Sequence, residues 1–266
     1  MTKSVRPQLI AIGSGKGGTG KTFASLSLAQ ALSGLGERVL LCDADVGLAN
    51  TTVQLGLDDG GDFASVLASG HVRQDCVRAV DGGAHKRGGF DLLSAPAGSG
   101  AHADFAPDSA ARLISALRSA RSYDRVVLDL AAGVDSATVT FAAAAEECLL
   151  VMTPDPSSLA DAYAFFKLVV RRGGRGPSSL VNMAAGESEA RRVADSLART
   201  ARAFLKQAPR FLGAIPRDPR VLEAIRFQRQ VLTSFPEAPA SRALRRIAEN
   251  LHGASQPSLP LGVTVR

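Results

Sequence analysis

Gly15-Lys16-Gly17-Gly18-Thr19-Gly20-Lys21-Thr22 fits the phosphate-binding pattern G-x-x-x-x-G-K-[ST], with a second lysine, Lys16, directly after the first glycine. The run Leu9-Ile10-Ala11-Ile12 before it reads as a buried strand, and residues 23–35 behind it read as a helix with apolar positions at Leu26, Leu28, Ala29 and Leu32. Strand, loop and helix is the context that the pattern needs. Glycines let the loop backbone approach phosphates, and its N–H groups and the helix N-terminus hold negative charge. Lys21 would bridge the β- and γ-phosphates, and the Thr22 hydroxyl would hold Mg²⁺. Gly15, Gly17, Gly18, Thr19 and Gly20 complete the expected loop contacts.

Lys21 serves the phosphates of its own chain, so Lys16 needs another task. A solvated loop lysine is the plain account. Against it, the chain has six lysines beside twenty-five arginines, and two of the six lie in this loop. Residues 15–22 resemble the deviant Walker A box of the ParA/MinD family, in which the first lysine reaches across a dimer interface to the partner's nucleotide. The resemblance implies an ATP-dependent homodimer in which Lys16 and Lys21 both act catalytically.

Arg38-Val39-Leu40-Leu41-Cys42-Asp43-Ala44-Asp45 reads as a second buried strand ending in two carboxylates two residues apart, and alternation puts both on one side. Carboxylates beside a triphosphate repel it unless a metal lies between. Asp43 is therefore expected to hold Mg²⁺ through water and Asp45 to orient the attacking water. A helix cap or a turn is the alternative use of a strand-end aspartate. Arg125-Val126-Val127-Leu128-Asp129 is a third such strand, whose terminal Asp129 resembles a Walker B metal carboxylate, with Gly133 nearby as a switch glycine.

Farther along, residues 149–163 read as strand, turn and helix start, with Ser157 or Ser158 as the expected N-cap. Ser179-Leu180-Val181-Asn182 ends another strand with an amide suited to a base edge, and Phe211-Leu212-Gly213-Ala214-Ile215-Pro216-Arg217-Asp218 ends one more. These segments follow the order of the MinD-like branch. The stretch Asp45-Val46-Gly47-Leu48-Ala49-Asn50, the segment from Thr153-Pro154 to Asp161-Ala162-Tyr163, and the Pro216-x-Asp218 turn resemble its FlhG/FleN members most. That likeness covers residues 8–252. It implies that Asn182, Pro216, Arg217 and Asp218 contact adenine, which makes ATP the nucleotide.

Absences sort the activities on this fold. Residues 130–137 hold no cluster-binding cysteine, and Cys42, Cys76 and Cys148 are too far apart for a C-x-x-C pair. Two of these cysteines lie in apolar strand-like runs and read as small buried hydrophobes. A tyrosine-rich tail, the mark of tyrosine kinases on this fold, is lacking. What remains is a regulator of cellular positioning.

The alternation of strand and helix patterns predicts one α/β domain over residues 1–252, with a mostly parallel twisted sheet of about seven or eight strands covered by helices on both faces. A short tail follows at 253–266. Strands are expected at 8–13, 39–43, 90–94, 125–129, 148–152, 179–182 and 211–215, and helices at 21–34, 109–121, 158–171 and 187–206, with two more after the last strand. The Gly-rich segment 57–89 reads as a surface excursion.

With 45% hydrophobic residues in a chain of 266, one large core can form, and unpaired cysteines suit a reducing compartment. Residues 1–8 are too short and polar for a signal peptide, and the longest apolar stretch, 139–145, is well short of a membrane span. The expected location is the cytoplasm, at a pole or on the nucleoid. Residues 171–266 carry 17 basic and 7 acidic side chains against 14 and 18 before them, so +10 faces −4. Arg171, Arg172, Arg175, Arg217, Arg220, Arg226, Arg229, Arg242, Arg245 and Arg246 are candidate contacts to nonspecific DNA or anionic lipid, or a solvated surface. The 241–251 helix reads as core packing. Pro257, Pro260 and Gly262 leave the tail without a helical stripe, so lipid binding is expected to be weak or absent.

The leading expectation is a slow ATPase, stimulated by a protein partner, that positions or counts a structure such as flagella. The alternatives are a partition ATPase riding on DNA, a cell-division site regulator, and a nucleotide sensor that binds a transcription factor.

Overall fold

The computed structural model describes residues 6–45, 50–94 and 107–253. Residues 46–49 of the stretch after Asp45, and the 254–266 tail with its lipid expectation, lie outside the described residues.

Apolar runs make the strands. β1 (Gln8–Ser14), β2 (Val39–Asp43), β3 (Arg78–Val80), β4 (Phe90–Ser94), β5 (Arg125–Ala132), β6 (Glu147–Met152), β7 (Ser178–Ala184) and β8 (Phe211–Pro216) form one sheet in the order β3-β4-β2-β5-β1-β6-β7-β8. Every pairing is parallel except β3 with β4. Strands buried on both faces need no polar alternation, and β2 and β4 are buried at every residue. Successive side chains then serve different layers. Leu9 and Ala11 join one core with Leu40 and Cys42, while Ile10 and Ile12 join the other with Val39 and Leu41.

The first core lies under α3 (Phe63–Ser69), α4 (Pro107–Ser119), α5 (Ser136–Ala144), α6 (Pro156–Arg171) and α7 (Glu187–Leu205). The second lies under α1 (Lys21–Gly34), α8 (Pro219–Arg226), α9 (Val231–Ser234) and α10 (Pro239–Gly253). α1 is buried almost all round because α10 covers the side turned away from the sheet. Leu244, Ile247, Ala248 and Leu251 of α10 are buried there, so this helix packs in the core as its pattern predicts. α2 (Asn50–Leu55) follows Asp45 on the sheet's upper rim. Among the described residues, no helix is long and apolar enough to cross a membrane.

Four expectations are corrected. The 57–89 segment is not a surface excursion: it builds α3, a 3-10 turn at Gln74–Cys76 and the antiparallel edge strand β3, and it buries Phe63, Val66 and Cys76. The apolar stretch at 139–145 belongs to α5, capped by Asp135. Three helices, rather than two, follow β8. The N-cap of α6 is neither Ser157 nor Ser158 but Asp155, whose carboxylate accepts the Ser158 N–H at 2.8 Å with Pro156 as the first helical residue.

Candidate nucleotide site

The chain leaves β1 toward β2 on one side and reaches β6 on the other, so a crevice opens above the carboxyl ends of β1 and β5. The 15–22 loop fills its floor. Gly20 stands at the N-cap of α1 with φ +86° and offers no capping side chain, so the first N–H groups of α1 point into open space. A Cβ on Gly20 would lie 2.2 Å from the Asn182 amide nitrogen, and one on Gly15 would lie 2.1 Å from the Asp161 carbonyl oxygen. The loop is thereby fixed from two sides by α6 and β7.

Three strand ends bring the carboxylates together. Asp43 and Asp129 are register partners across β2 and β5, and Ile12 of β1 pairs with Asp129 on the other side. Both carboxyls are almost fully buried. Asp43 accepts the Asp45 N–H at 3.0 Å and the Thr51 hydroxyl at 2.7 Å. Burial, reinforced by the charge of Asp129, pushes Asp43 up to about 7. Burial raises Asp129 as well, opposed by the charge of Lys21 and by bonds from the Thr22 and Ser25 hydroxyls, the latter at 2.9 Å. Gly133 closes the far side of β5, at φ +99°, with its N–H donated to the Ser14 carbonyl at 2.9 Å.

A cavity of about 810 Å³ rises from this floor. Gly17, Gly18, Gly20, Lys21 and Thr22 line its base, Asp45 and Asn50 one wall, and Asn182, Met183, Pro216, Arg217 and Asp218 the other. Asp43 and Asp129 do not line the cavity but are bonded to the lining residues Asp45 and Thr22. Two of the lining residues are committed to the framework. Asn182 donates its amide to the Thr19 carbonyl at 2.8 Å, and Asp218 accepts the backbone N–H groups of Arg220 and Ala240 at 3.0 and 3.1 Å. Their side chains shape the cavity wall, which leaves Met183, Pro216, Leu222 and Ile225 as apolar surface for a base.

Lys16 does not line this cavity. Its ammonium lies on the outer rim, 2.7 Å from the carboxylate of Asp155 and 2.7 Å from the hydroxyl of Ser157. The Lys16 bond, joined by those from Thr153, Ser157 and the Ser158 N–H, holds the Asp155 carboxyl well below the usual carboxylate range. The turn at the start of α6 is thus in contact with the signature lysine. Met183 was also missed: it is a non-glycine residue at φ +58°, at a register shift between β7 and β8, turned into the cavity wall. Nothing in its type signals either role.

The arrangement fits a magnesium nucleotide. The buried Thr19 hydroxyl has no hydrogen-bond partner among the described residues, the α1 N-terminus is open, and Lys21 is the cation whose charge acts on Asp129 beside two buried carboxyls. Thr22, Asp43 and Asp129 supply the hard oxygen donors that Mg²⁺ takes. Fold and site together define a P-loop ATPase.

A family model described as the CobQ/CobB/MinD/ParA nucleotide binding domain matches residues 10–231. The chain is 37% identical over 257 residues to the antiactivator FleN of Pseudomonas aeruginosa, covering 96% of this chain and 90% of that protein. It is 29% identical over 245 residues to the flagellum site-determining protein YlxH of Helicobacter pylori, with coverage of 91% and 80%. The septum site-determining protein MinD from Pyrococcus horikoshii, solved with Mg-ADP, shares the fold, with a TM-score of 0.76 at 24% identity over 94% of this chain and 97% of that one. The chain belongs to the CobQ/CobB/MinD/ParA nucleotide-binding family, and it is a FleN-like ATPase.

Proposed function

We propose that this ATPase is a nucleotide-gated homodimer that sets the number or placement of flagella, with slow hydrolysis stimulated by a protein partner. The observation that carries the gating is the division of labour between the two loop lysines. Lys21 is buried inside the cavity, whereas Lys16 stands outside it and is tethered to Asp155 and Ser157 of its own chain. A lysine that serves its own nucleotide has no reason to face outward. One freed from Asp155 can reach the phosphate of an apposed protomer.

Bound Mg·ATP supplies a γ-phosphoryl group on which charge develops during hydrolysis. Lys21 and the open α1 N-terminus would hold that charge in place, and Thr22, Asp43 and Asp129 would hold the metal. Asp45 orients the attacking water from the cavity wall, positioned through its N–H bond to Asp43. The work is positioning, so turnover stays slow until Lys16 and a partner protein complete the site. The flagellar role is supported by the likeness to FleN and YlxH. The protein would then act in the cytoplasm, at or near a pole.

Molar mass in solution, measured with ADP and with a non-hydrolysable ATP analogue on wild type and Lys16→Ala, tests the gate. A dimer that forms only with the analogue and is lost in the variant is expected. A single mass under every condition would reject it. Deletion of the gene should change flagellar number, and a shifted division site with normal flagella would replace the flagellar reading with a septal one.

A further inference from the structure

The C-terminal arginines have no part in the nucleotide site apart from Arg217, and they do not form one surface. Arg171 ends α6 and Arg172 and Arg175 follow it, at the end of the sheet opposite Arg217 and Arg220. Arg242, Arg245 and Arg246 do converge. They face a cleft along the outer edge of β8, which closes the sheet with no further strand beside it among the described residues. Two adjoining hollows of about 520 and 510 Å³ share Glu187, Ala214 and Arg246 and run the length of this edge between α7 and α10.

We propose that this cleft docks an acidic, extended peptide segment of a partner protein, added as a further strand on β8. Three observations carry it. The edge itself carries no charge: β8 reads Phe-Leu-Gly-Ala-Ile-Pro, its one residue that deters pairing, Pro216, stands at the end of the strand, and Gly213 and Ala214 in the middle are partly exposed. The charge above it is unbalanced. Arg242 and Arg245 spend their bonds on the backbone carbonyls of Glu237 and Pro236, at 2.5 and 2.6 Å, and Arg246 makes no ion pair among the described residues. Three guanidinium charges therefore hang over a strand edge beside Glu249 of α10, while Glu187, the other carboxylate of the cleft, is paired with Arg191 of its own helix at 2.9 Å. The shape excludes the obvious competitor. A nucleic-acid duplex would rest on the two helices and leave the backbone floor unfilled, whereas a strand one sheet spacing away fills it and places alternate side chains under the arginines.

The cleft ends at Pro216, which also lines the nucleotide cavity on its other side. Docking here does not depend on the flagellar reading or on dimer gating.

Fluorescence anisotropy with a labelled eight-residue peptide of alternating Glu and Val tests the proposal, with and without the ATP analogue. The paired variant Arg242→Glu/Arg246→Glu should weaken binding about tenfold, and Glu249→Arg should strengthen it about threefold, a gain that misfolding cannot mimic. Methylating alternate backbone nitrogens of the peptide at constant charge should weaken it about tenfold, because ladder bonds are lost. Equal binding of the methylated peptide would overturn strand addition, and weakened binding by Glu249→Arg would overturn the charge argument. If a 20-base-pair duplex or phosphatidylserine vesicles bind through the same arginines while the peptide does not, the surface belongs to nucleic acid or lipid. Absence of binding to every probe would also reject the proposal.

Discussion

The two ends of the sheet treat charge in opposite ways. At the amino ends of the strands, Glu37 accepts two bonds from Arg125, at 2.6 and 2.8 Å, and lies 2.6 Å from His252 of α10, while Arg125 reaches Gln8 at 2.6 Å. Arg38 and Asp124 pair nearby through side chain and backbone. Each charge of this network has its partner within the chain, and the network ties α10 to the base of β5. At the carboxyl ends, Asp43 and Asp129 are buried side by side and the Thr19 hydroxyl is left unpartnered among the described residues. Settled charge holds the fold together. Unsettled charge is the part of the molecule a ligand completes.

Removing Glu37 should have the largest effect on folding. Glu37→Ala leaves the Arg125 guanidinium buried without its carboxylate, which costs about 3–5 kcal/mol in denaturant unfolding. Nucleotide affinity should stay unchanged, and a matching fall in affinity would show that the two ends are not separate. Lys21→Ala should act the other way round. Affinity for a fluorescent ATP analogue should fall about 100-fold, as expected when one partner of a buried charge contact is lost, with little change in unfolding.

Acidity sharpens the comparison further. Asp43 is raised from 3.8 to about 7, so between those values the folded protein keeps a proton that the unfolded chain has released. That stabilisation is fully present below pH 4 and is lost as pH rises through 7. The thermal midpoint of the nucleotide-free protein should therefore fall between pH 5 and 8, and Mg²⁺ with the ATP analogue should flatten the fall. A slope unchanged by ligand would mean that Asp43 is not in the metal site. Lys16→Ala should have the smallest effect on unfolding, less than about 1 kcal/mol, because its pair with Asp155 is partly exposed to water.

The strands that carry the phosphate and metal positions, β1, β2 and β5, were legible because each is an apolar run buried on both faces and ended by a glycine-rich loop or an acid. β3 was not, since three residues with Arg78 and Ala79 exposed carry no apolar run. α5 escaped because Ser-Ala-Thr-Val-Thr-Phe-Ala-Ala-Ala has small or apolar residues on every side and shows no stripe to read. Phosphate and metal positions were likewise open to inspection, being set by spacing within one loop or at strand ends. The Asp155 and Ser157 tether on Lys16 spans about 140 residues, and no local pattern encodes a contact made through packing.

Gly15 lies against the backbone of Asp161, and Gly13 against the ring of Phe165, so the loop takes its shape from a helix encoded some 145 residues later. The order of synthesis then matters. A chain emerging from the ribosome exposes its phosphate-binding motif early, while the wall that shapes it is still to come. A nascent chain halted before α6 would carry the motif without the surface that Gly13 and Gly15 pack against.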